Sequence, residues 1–139
     1  MQAETNKALV RAFVAAINAQ NWERLRELVA PDFVRHSDAA GSPGIHSRDE
    51  LEAFLRHELV TFPDAHESLE DLVAENDKVA ARHRFTGTQH GPMDTLPPSG
   101  RTMTATYLAI YRIADGRIAE AWAEWDNLTG LVQLGHAQR

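Results

Sequence analysis

Residues 102–126, TMTATYLAIYRIADGRIAEAWAEWD, are the stretch of the 139-residue sequence that decides the fold. Thr102 to Ile113 and Arg117 to Asp126 are rich in β-branched and aromatic residues, a composition typical of β-strands. Asp115-Gly116 lies between them and is a dipeptide that favours tight hairpin turns. The stretch therefore predicts two antiparallel strands joined by a short turn.

The residues before this stretch predict a second hairpin. Ser68 to Glu75 and Lys78 to Thr88 have the same strand-like composition, and Asn76-Asp77 supplies the turn between them. Gly91 to Gly100 is rich in proline and glycine, which predicts a longer loop between the two hairpins. The two hairpins together predict an antiparallel sheet.

The N-terminal part of the chain has the periodicity of helices. Asn6 to Ala19 predicts a first helix with Thr5 as its N-cap, because apolar residues recur every four positions: Leu9, Phe13 and Ile17. Asn21 is a candidate N-cap for a short second helix, which we expect Pro31 to end.

A third helix is predicted after a short strand and a loop. Phe33-Val34 is the strand, and Ser37 to Gly44, rich in Ser, Asp, Gly and Pro, is the loop. Ser47 and Glu50 have the spacing of a capping box, and Pro63 ends the helix. Helices followed by strands indicate a single α+β domain, with helices over one face of an antiparallel sheet and a small-ligand pocket between them.

Composition narrows the classes of function. The formal net charge of −6, with arginines scattered among acids, argues against a nucleic-acid partner. No apolar run is long enough to cross a bilayer and the first residues lack the pattern of a signal peptide, so we expect no membrane partner and a cytoplasmic location. Cysteine and closely spaced histidine pairs are absent, so no metal and no cofactor are predicted.

Several short motifs, in this order, resemble the SnoaL-like polyketide cyclases of the nuclear-transport-factor-2-like superfamily. They are Asn6-Lys7-Ala8-Leu9-Val10-Arg11, Ala30-Pro31-Asp32-Phe33-Val34 before His36, Phe62-Pro63-Asp64, Gly87-Thr88, Leu96-Pro97-Pro98-Ser99-Gly100-Arg101, Ile110-Tyr111-Arg112-Ile113 before Asp115-Gly116-Arg117-Ile118, Trp122 four residues ahead of Asp126, and Gln133-Leu134-Gly135. The resemblance covers nearly the whole chain. It implies one cone-shaped domain over residues 1–139, a small hydrophobic substrate, and a homodimer formed through the open face of the sheet.

The resemblance also implies that Asp126 is the catalytic base. In this family a carboxylate removes a proton α to a carbonyl, and the carbanion attacks a second carbonyl of the same molecule. Alternation along the last predicted strand leaves two interpretations open, because Asp126 shares a face with Glu120, Trp122 and Glu124, while alanines fill the other face. Either the acidic row lines the pocket, or the alanine row packs under the helices and the acids are solvated.

Other residues are candidates for the pocket. His36 is expected at its mouth, where an imidazole could assist proton transfer or could instead bond the backbone. Alternation separates His83 from its neighbours Arg82 and Arg84, and Arg82 is a candidate ion-pair partner of Asp126 or Glu124. The remaining candidates for substrate binding, which could also be core residues, are aromatic: Phe13, Trp22, Phe54, Tyr107, Tyr111 and Trp122.

Three functions are compatible with these residues. The first is a cofactor-independent cyclase or related lyase or isomerase that uses Asp126 with help from His36. The second is an epoxide hydrolase or isomerase, in which an arginine and a second acid would bracket a water beside the carboxylate. The third is a non-catalytic small-molecule-binding or dimerisation module.

Overall fold

The computed structural model describes residues 2–37 and 44–139 of the chain. The elements, in chain order, are α1 (Gln2–Asn18), α2 (Trp22–Leu28), β1 (Val29–His36), α3 (Arg48–Thr61), β2 (His66–Glu75), β3 (Lys78–Thr88), β4 (Thr102–Ala114), β5 (Arg117–Trp125) and α4 (Asn127–Leu134). The five strands form one sheet in the order β1-β5-β4-β3-β2. Helices and sheet together make the α+β domain expected from the sequence.

The sheet is mixed rather than purely antiparallel. The pairs β2–β3, β3–β4 and β4–β5 are antiparallel, as the two predicted hairpins require, whereas β1 runs parallel to β5. β1 is also longer than the predicted Phe33-Val34 strand and contains Pro31, which was expected to end the preceding helix. Proline is tolerated here because β1 is an edge strand whose register with β5 is interrupted between Val29 and Val34.

The helix and turn signals mostly predicted the structure correctly. The side chain of Asn21 caps α2 and that of Ser47 caps α3, where its hydroxyl accepts from the backbone N–H of Glu50 at 3.0 Å. Thr5 is not an N-cap, because α1 begins earlier, at Gln2. In the turns, Asn76 and Asp115 have positive φ angles of 54° and 53°, the conformation that tight hairpin turns demand.

Helix α4 was not expected from the sequence, and part of one predicted loop lies outside the described residues. Asp126, assigned to the last strand, is instead the N-cap of α4, whose other end closes at Gly135 in the left-handed conformation. The predicted loop Ser37 to Gly44 falls mostly on residues 38–43, which the structure does not describe. No helix within the described residues is long and apolar enough to cross a membrane.

The two faces of the sheet differ in cover. Alternate residues of β3, β4 and β5 are buried on the side where the helices lie, and the intervening residues face outward. On β5 the inward residues include Ala121 and Ala123, whereas Trp122 and Glu124 point outward and are exposed. The alanine row therefore packs under the helices, and its small side chains leave space above the sheet.

Candidate functional site

That space is a pocket between the inner face of the sheet and the helices α1 and α3. It contains a cavity of about 40 Å³, well below the ~150 Å³ of a cavity that holds benzene. Its walls are mostly apolar and aromatic: Phe13, Ile17, Phe33, Leu51, Phe54, Leu55, Tyr107, Ala109, Tyr111, Ala121, Ala123 and Trp125. Three charged residues complete the lining, Arg35, Glu58 and Glu67. Such a site suits a largely apolar ligand that presents one reactive polar group.

Glu58 is an acid of the pocket whose pKa is strongly raised. It lies on the apolar side of α3, one turn beyond Phe54 and two beyond Leu51. The whole residue is half-buried, but its carboxyl group lies inside the pocket. Burial and, next, the negative charge of Glu67 together raise the pKa of Glu58 to about 8, against an opposing effect of Arg35. A carboxyl with this pKa can hold or release a proton near neutral pH.

Glu67, on β2, is held by hydrogen bonding. The Tyr107 hydroxyl donates to its Oε1 at 2.5 Å, and its Oε2 lies 3.5 Å from Nδ1 of His83. His83 is fully buried, and its Nε2 is 2.9 Å from the Tyr111 hydroxyl. Burial, and next the charge of Glu67, raise the pKa of both tyrosines above the usual value, so the phenols keep their protons.

Arg35 brings a positive charge to the pocket from β1. It shares the inward face of the strand with the buried Phe33, and its guanidinium lies over the ring of Phe54 at 4.6 Å from the centroid. Burial lowers the pKa of Arg35, and the surrounding tyrosines and the carboxylates of Glu58 and Glu67 oppose that shift. The pocket thus combines a cation and two carboxyls in an apolar surrounding.

The aromatic candidates divide into three groups. Phe13, Phe54, Tyr107 and Tyr111 line the pocket. His83 lies just beneath the lining, bonded to Tyr111 and stacked on Tyr107. Trp22 lies outside the lining, where it is half-buried and packs against the guanidinium of Arg56 at 4.9 Å.

The expectation that Asp126 faces the pocket is wrong. Its side chain is exposed, and its Oδ1 accepts the backbone N–H of Thr129 at 3.1 Å as the N-cap of α4. Hydrogen bonds from Thr129 hold the pKa of Asp126 below its usual value. β5 ends at Trp125, so Asp126 serves the start of a helix rather than the end of a strand.

His36 and Trp122 also lie on the wrong side of the sheet for the roles expected of them. Their rings stack on the outer face with centroids 5.4 Å apart, and Nε2 of His36 is 2.7 Å from Glu120, which also accepts from Arg112 at 3.0 Å. Arg82, on the same face, pairs with Asp71 at 2.8 Å and not with Glu124 or Asp126. In a strand, neighbouring residues face opposite ways, so β1 directs Arg35 inward and His36 outward.

Three functional candidates were missed: Arg35, Glu58 and Glu67. Glu58 had a readable signal, because it follows Leu51, Phe54 and Leu55 at helical spacing and so places an acid on an otherwise apolar face. Arg35 had a weaker one, two residues after Phe33 in a predicted strand. Glu67 had no such signal, because the predicted strand begins one residue later, at Ser68. Across residues 2–37 and 44–139, no three His, Asp or Glu side chains are arranged to hold a metal ion.

Comparison with known proteins agrees with the fold and the order of motifs. Residues 7–134 match the family described as SnoaL-like polyketide cyclase. IdmH from Streptomyces antibioticus, described as "a putative polyketide cyclase", is 33% identical with a TM-score of 0.82, over 94% of this chain and 98% of that chain. TsrD from Streptomyces laurentii is 31% identical with a TM-score of 0.85, over 96% and 97% of the two chains.

A further similar structure has a different description. AclR from Streptomyces galilaeus, "a putative hydroxylase", is 27% identical with a TM-score of 0.82, over 96% of this chain and 87% of that chain. No curated protein matches the chain. The reaction therefore has to be argued from the pocket itself.

Proposed function

The chain belongs to the SnoaL-like polyketide cyclase family, and from that premise we propose that it catalyses proton transfer and intramolecular ring closure on a small carbonyl compound, with Glu58 as the acid–base group. The observation that carries the proposal is the buried carboxyl of Glu58, whose pKa of about 8 suits proton transfer near neutral pH. Glu58 thus takes the role that the resemblance implied for Asp126.

The proposed reaction conserves every atom of the substrate. The carboxylate of Glu58 takes a proton from the carbon α to a carbonyl, and the C–H electron pair becomes that of an enolate. The enolate carbon forms a bond to a second carbonyl carbon of the same molecule, whose oxygen then takes the proton back from Glu58 and becomes a hydroxyl. Arg35, in the same pocket, would stabilise the negative oxygen that forms at each step.

The size of the cavity limits what it can enclose. About 40 Å³ accommodates the reacting carbonyl unit and not a ring system, so the rest of a larger substrate would extend beyond the present cavity. The pocket would supply a dry environment for the proton transfer and would hold the two carbons of the new bond together.

Deuterium uptake tests this proposal. We expect the protein in D₂O to accelerate exchange at the carbon α to the carbonyl of small diketones, followed by ring closure, both measured by NMR. Glu58→Gln should reduce the exchange rate by about 10²- to 10⁴-fold, the usual range for a general acid or base. Glu120→Gln is the matched control, because Glu120 is an acid of the outer face. Equal rates in wild type and Glu58→Gln would refute the mechanism.

Epoxide opening is a second candidate, favoured by one observation: Arg35 shares the pocket with two carboxyls. Protonated Glu58 would give its proton to the epoxide oxygen, and the carboxylate of Glu67 would accept a proton from the water that forms the new C–O bond. The product would be a diol, detectable by mass spectrometry from a set of small alkene oxides. Diol formation without deuterium exchange would favour this reaction over cyclisation.

A non-catalytic binding module is the remaining alternative. Any ligand that binds only the folded pocket raises the melting temperature by mass action. A thermal-shift screen of small apolar carbonyl compounds, combined with the exchange assay, separates the cases. Stabilisation without exchange or hydrolysis would favour a binding protein.

We also propose that the protein is a homodimer, with the outer faces of two sheets packed together. An apolar row crosses the sheet on that face, formed by the cross-strand neighbours Val73, Ala80, Ile110 and Trp122. Val73 is 66% exposed and Ile110 is 43% exposed, and such rows usually mark an interaction surface. A cytoplasmic location remains a prediction from the sequence.

A further inference from the structure

We propose that Glu67 is a positioning residue of this site: a carboxylate fixed by a hydrogen bond from Tyr107, beside His83, that keeps the proton on Glu58 while the pocket is empty. This role rests on the proposed function, in which Glu58 carries the proton. It nevertheless makes a claim about the resting protein, which can be measured without any substrate.

Tyr107, which donates a hydrogen bond to Glu67, and His83 beside it are fixed by ring stacking. The His83 ring lies parallel to Tyr107, with centroids 4.2 Å apart and an interplanar angle of 4°. Trp125 covers the other side of Tyr107 at 3.8 Å and 18°. The three residues are cross-strand neighbours on β3, β4 and β5, so the sheet itself sets their spacing. A carboxylate bonded to such a stack has little freedom to turn towards Glu58.

The tautomer of His83 follows from its neighbours. Within the described part of the chain, Nδ1 has no hydrogen-bond partner, and it faces the Glu67 carboxylate at 3.5 Å. A neutral imidazole has one N–H. With that proton on Nδ1, Nε2 can accept from the Tyr111 hydroxyl at 2.9 Å, whereas the other tautomer would leave a lone pair on Nδ1 near a negative charge. The Nδ1–H tautomer therefore supports an ionised Glu67.

Both tyrosine hydroxyls are occupied in this arrangement. Tyr107 donates to Glu67 and Tyr111 donates to His83, so neither is left to stabilise an enolate oxygen. Four titratable side chains line the pocket together with Glu58: Arg35 on β1, Glu67 on β2, and Tyr107 and Tyr111 on β4. Of these, Glu67 alone is a negative charge, and like charges in one pocket cannot both ionise cheaply. With Glu67 fixed as the ionised member, Glu58 is the one that keeps the proton.

Carbon-13 NMR of labelled glutamate tests the role directly. The Glu58 carboxyl signal is assigned by its loss in Glu58→Gln and is followed through pH in the substrate-free protein. Glu67→Gln removes the charge but keeps the size and an oxygen that can accept from Tyr107. We expect it to lower the titration midpoint of Glu58 by about one pH unit or more. Glu70→Gln is the matched control, since Glu70 lies on the same strand but is exposed and pairs with Arg84.

Tyr107→Phe provides a second test should Glu67→Gln fail to fold. It keeps the stacked ring and removes only the hydroxyl, so the Glu67 carboxylate loses the hydrogen bond that fixes it. The titration midpoint of Glu58 should then fall. A Glu58 midpoint that stays at its wild-type value in the variants would overturn the proposal.

The outcome can be separated from that of the proposed function. If Glu67→Gln shifts the midpoint but Glu58→Gln exchanges deuterium normally, the positioning role stands and the proposed reaction fails. If Glu58→Gln abolishes exchange but Glu67→Gln leaves the midpoint unchanged, the reaction stands and the role of Glu67 fails.

Discussion

The pocket above the sheet and the outer face of the sheet contain the same kinds of side chain, but the pKa of an acid is raised in the pocket and lowered on the outer face. Inside, His83 contacts Tyr111 and Glu67, and the buried acid Glu58 has a raised pKa. Outside, His36 contacts Glu120, whose pKa is lowered by hydrogen bonds from His36 and Arg112. The difference comes from water, because an apolar surrounding penalises a charge that solvent and exposed partners would stabilise. An acid on the strand is therefore no guide to chemistry until its face is known.

The largest expected effect is on the pH dependence of activity. If Glu58 acts as the base, kcat/KM should fall about tenfold for each pH unit below ~8 and level off above it, because only the ionised form accepts a proton. Deuterium exchange measured from about pH 6 to 9 checks this. An exchange rate that does not change with pH over that range would mean that no acid of the pocket with such a pKa controls the rate.

A second effect concerns stability. The pKa of Glu58 is raised in the folded state, from 4.5 to about 8, so the folded protein binds this proton more tightly than the unfolded chain does. The stabilisation that this proton contributes is fully present below about pH 4.5 and is lost as pH rises through about 8. The loss by pH 9 should be on the order of a few kcal/mol, since a tenfold difference in proton affinity between the two states corresponds to ~1.4 kcal/mol.

Glu58→Gln should remove this dependence. The variant should be more stable than wild type near pH 9, because an amide never has to ionise in the pocket. Chemical denaturation at several pH values measures the effect. The same loss of stability in wild type and variant would show that another group is responsible.

The third effect concerns the outer face. Trp122→Glu should weaken the proposed dimer strongly, because it places a charge at one end of the apolar row, beside Ile110. Val60→Glu is a suitable control, since Val60 is 61% exposed but lies on α3, away from the sheet face. Analytical ultracentrifugation over a dilution series distinguishes the two. A monomeric wild type, or dimers of equal strength in both variants, would contradict the proposal.

The smallest expected effect is that of Asp126→Asn. Asparagine caps helices about as well as aspartate, so α4 should keep its start. Exchange rate and melting temperature should both stay close to wild type, because the residue is exposed and outside the pocket. Loss of exchange with an intact fold would return the catalytic role to Asp126.

Much of the fold could be predicted from local signals. Asn21 and Ser47 cap helices and Asp115-Gly116 turns a hairpin, because each effect depends on a few neighbouring residues. The errors have local causes as well. β1 was predicted too short, because Pro31 usually ends a helix but here lies inside the strand. Asp126 was assigned to the end of the last strand, although it caps α4. Asp126 directly follows Trp125, the last residue of β5, so the sequence alone does not separate a strand end from a helix cap at this position.

The site was only half predictable. The aromatic lining, such as Phe13, Phe54 and Tyr111, followed from apolar periodicity and the expected pocket. The charged residues of the pocket were not predicted, because the resemblance implies Asp126 as the catalytic base and implies no role for Arg35 or Glu58. A polar side chain at an apolar position of a predicted helix, as at Glu58, was the overlooked signal.

The sequence by itself determined three of the helices, the two hairpins and which residues of their strands share a face, but not α4 or the length of β1. Only the tertiary structure decided which face the helices cover, because a two-residue period divides a strand into two sides without saying which one is buried. It also brought together Arg35, Glu58 and Glu67, which come from β1, α3 and β2. Their burial and their close approach exist only after α3 packs on the sheet, and burial together with the charges of Glu67 and Arg35 sets the proton affinity of Glu58.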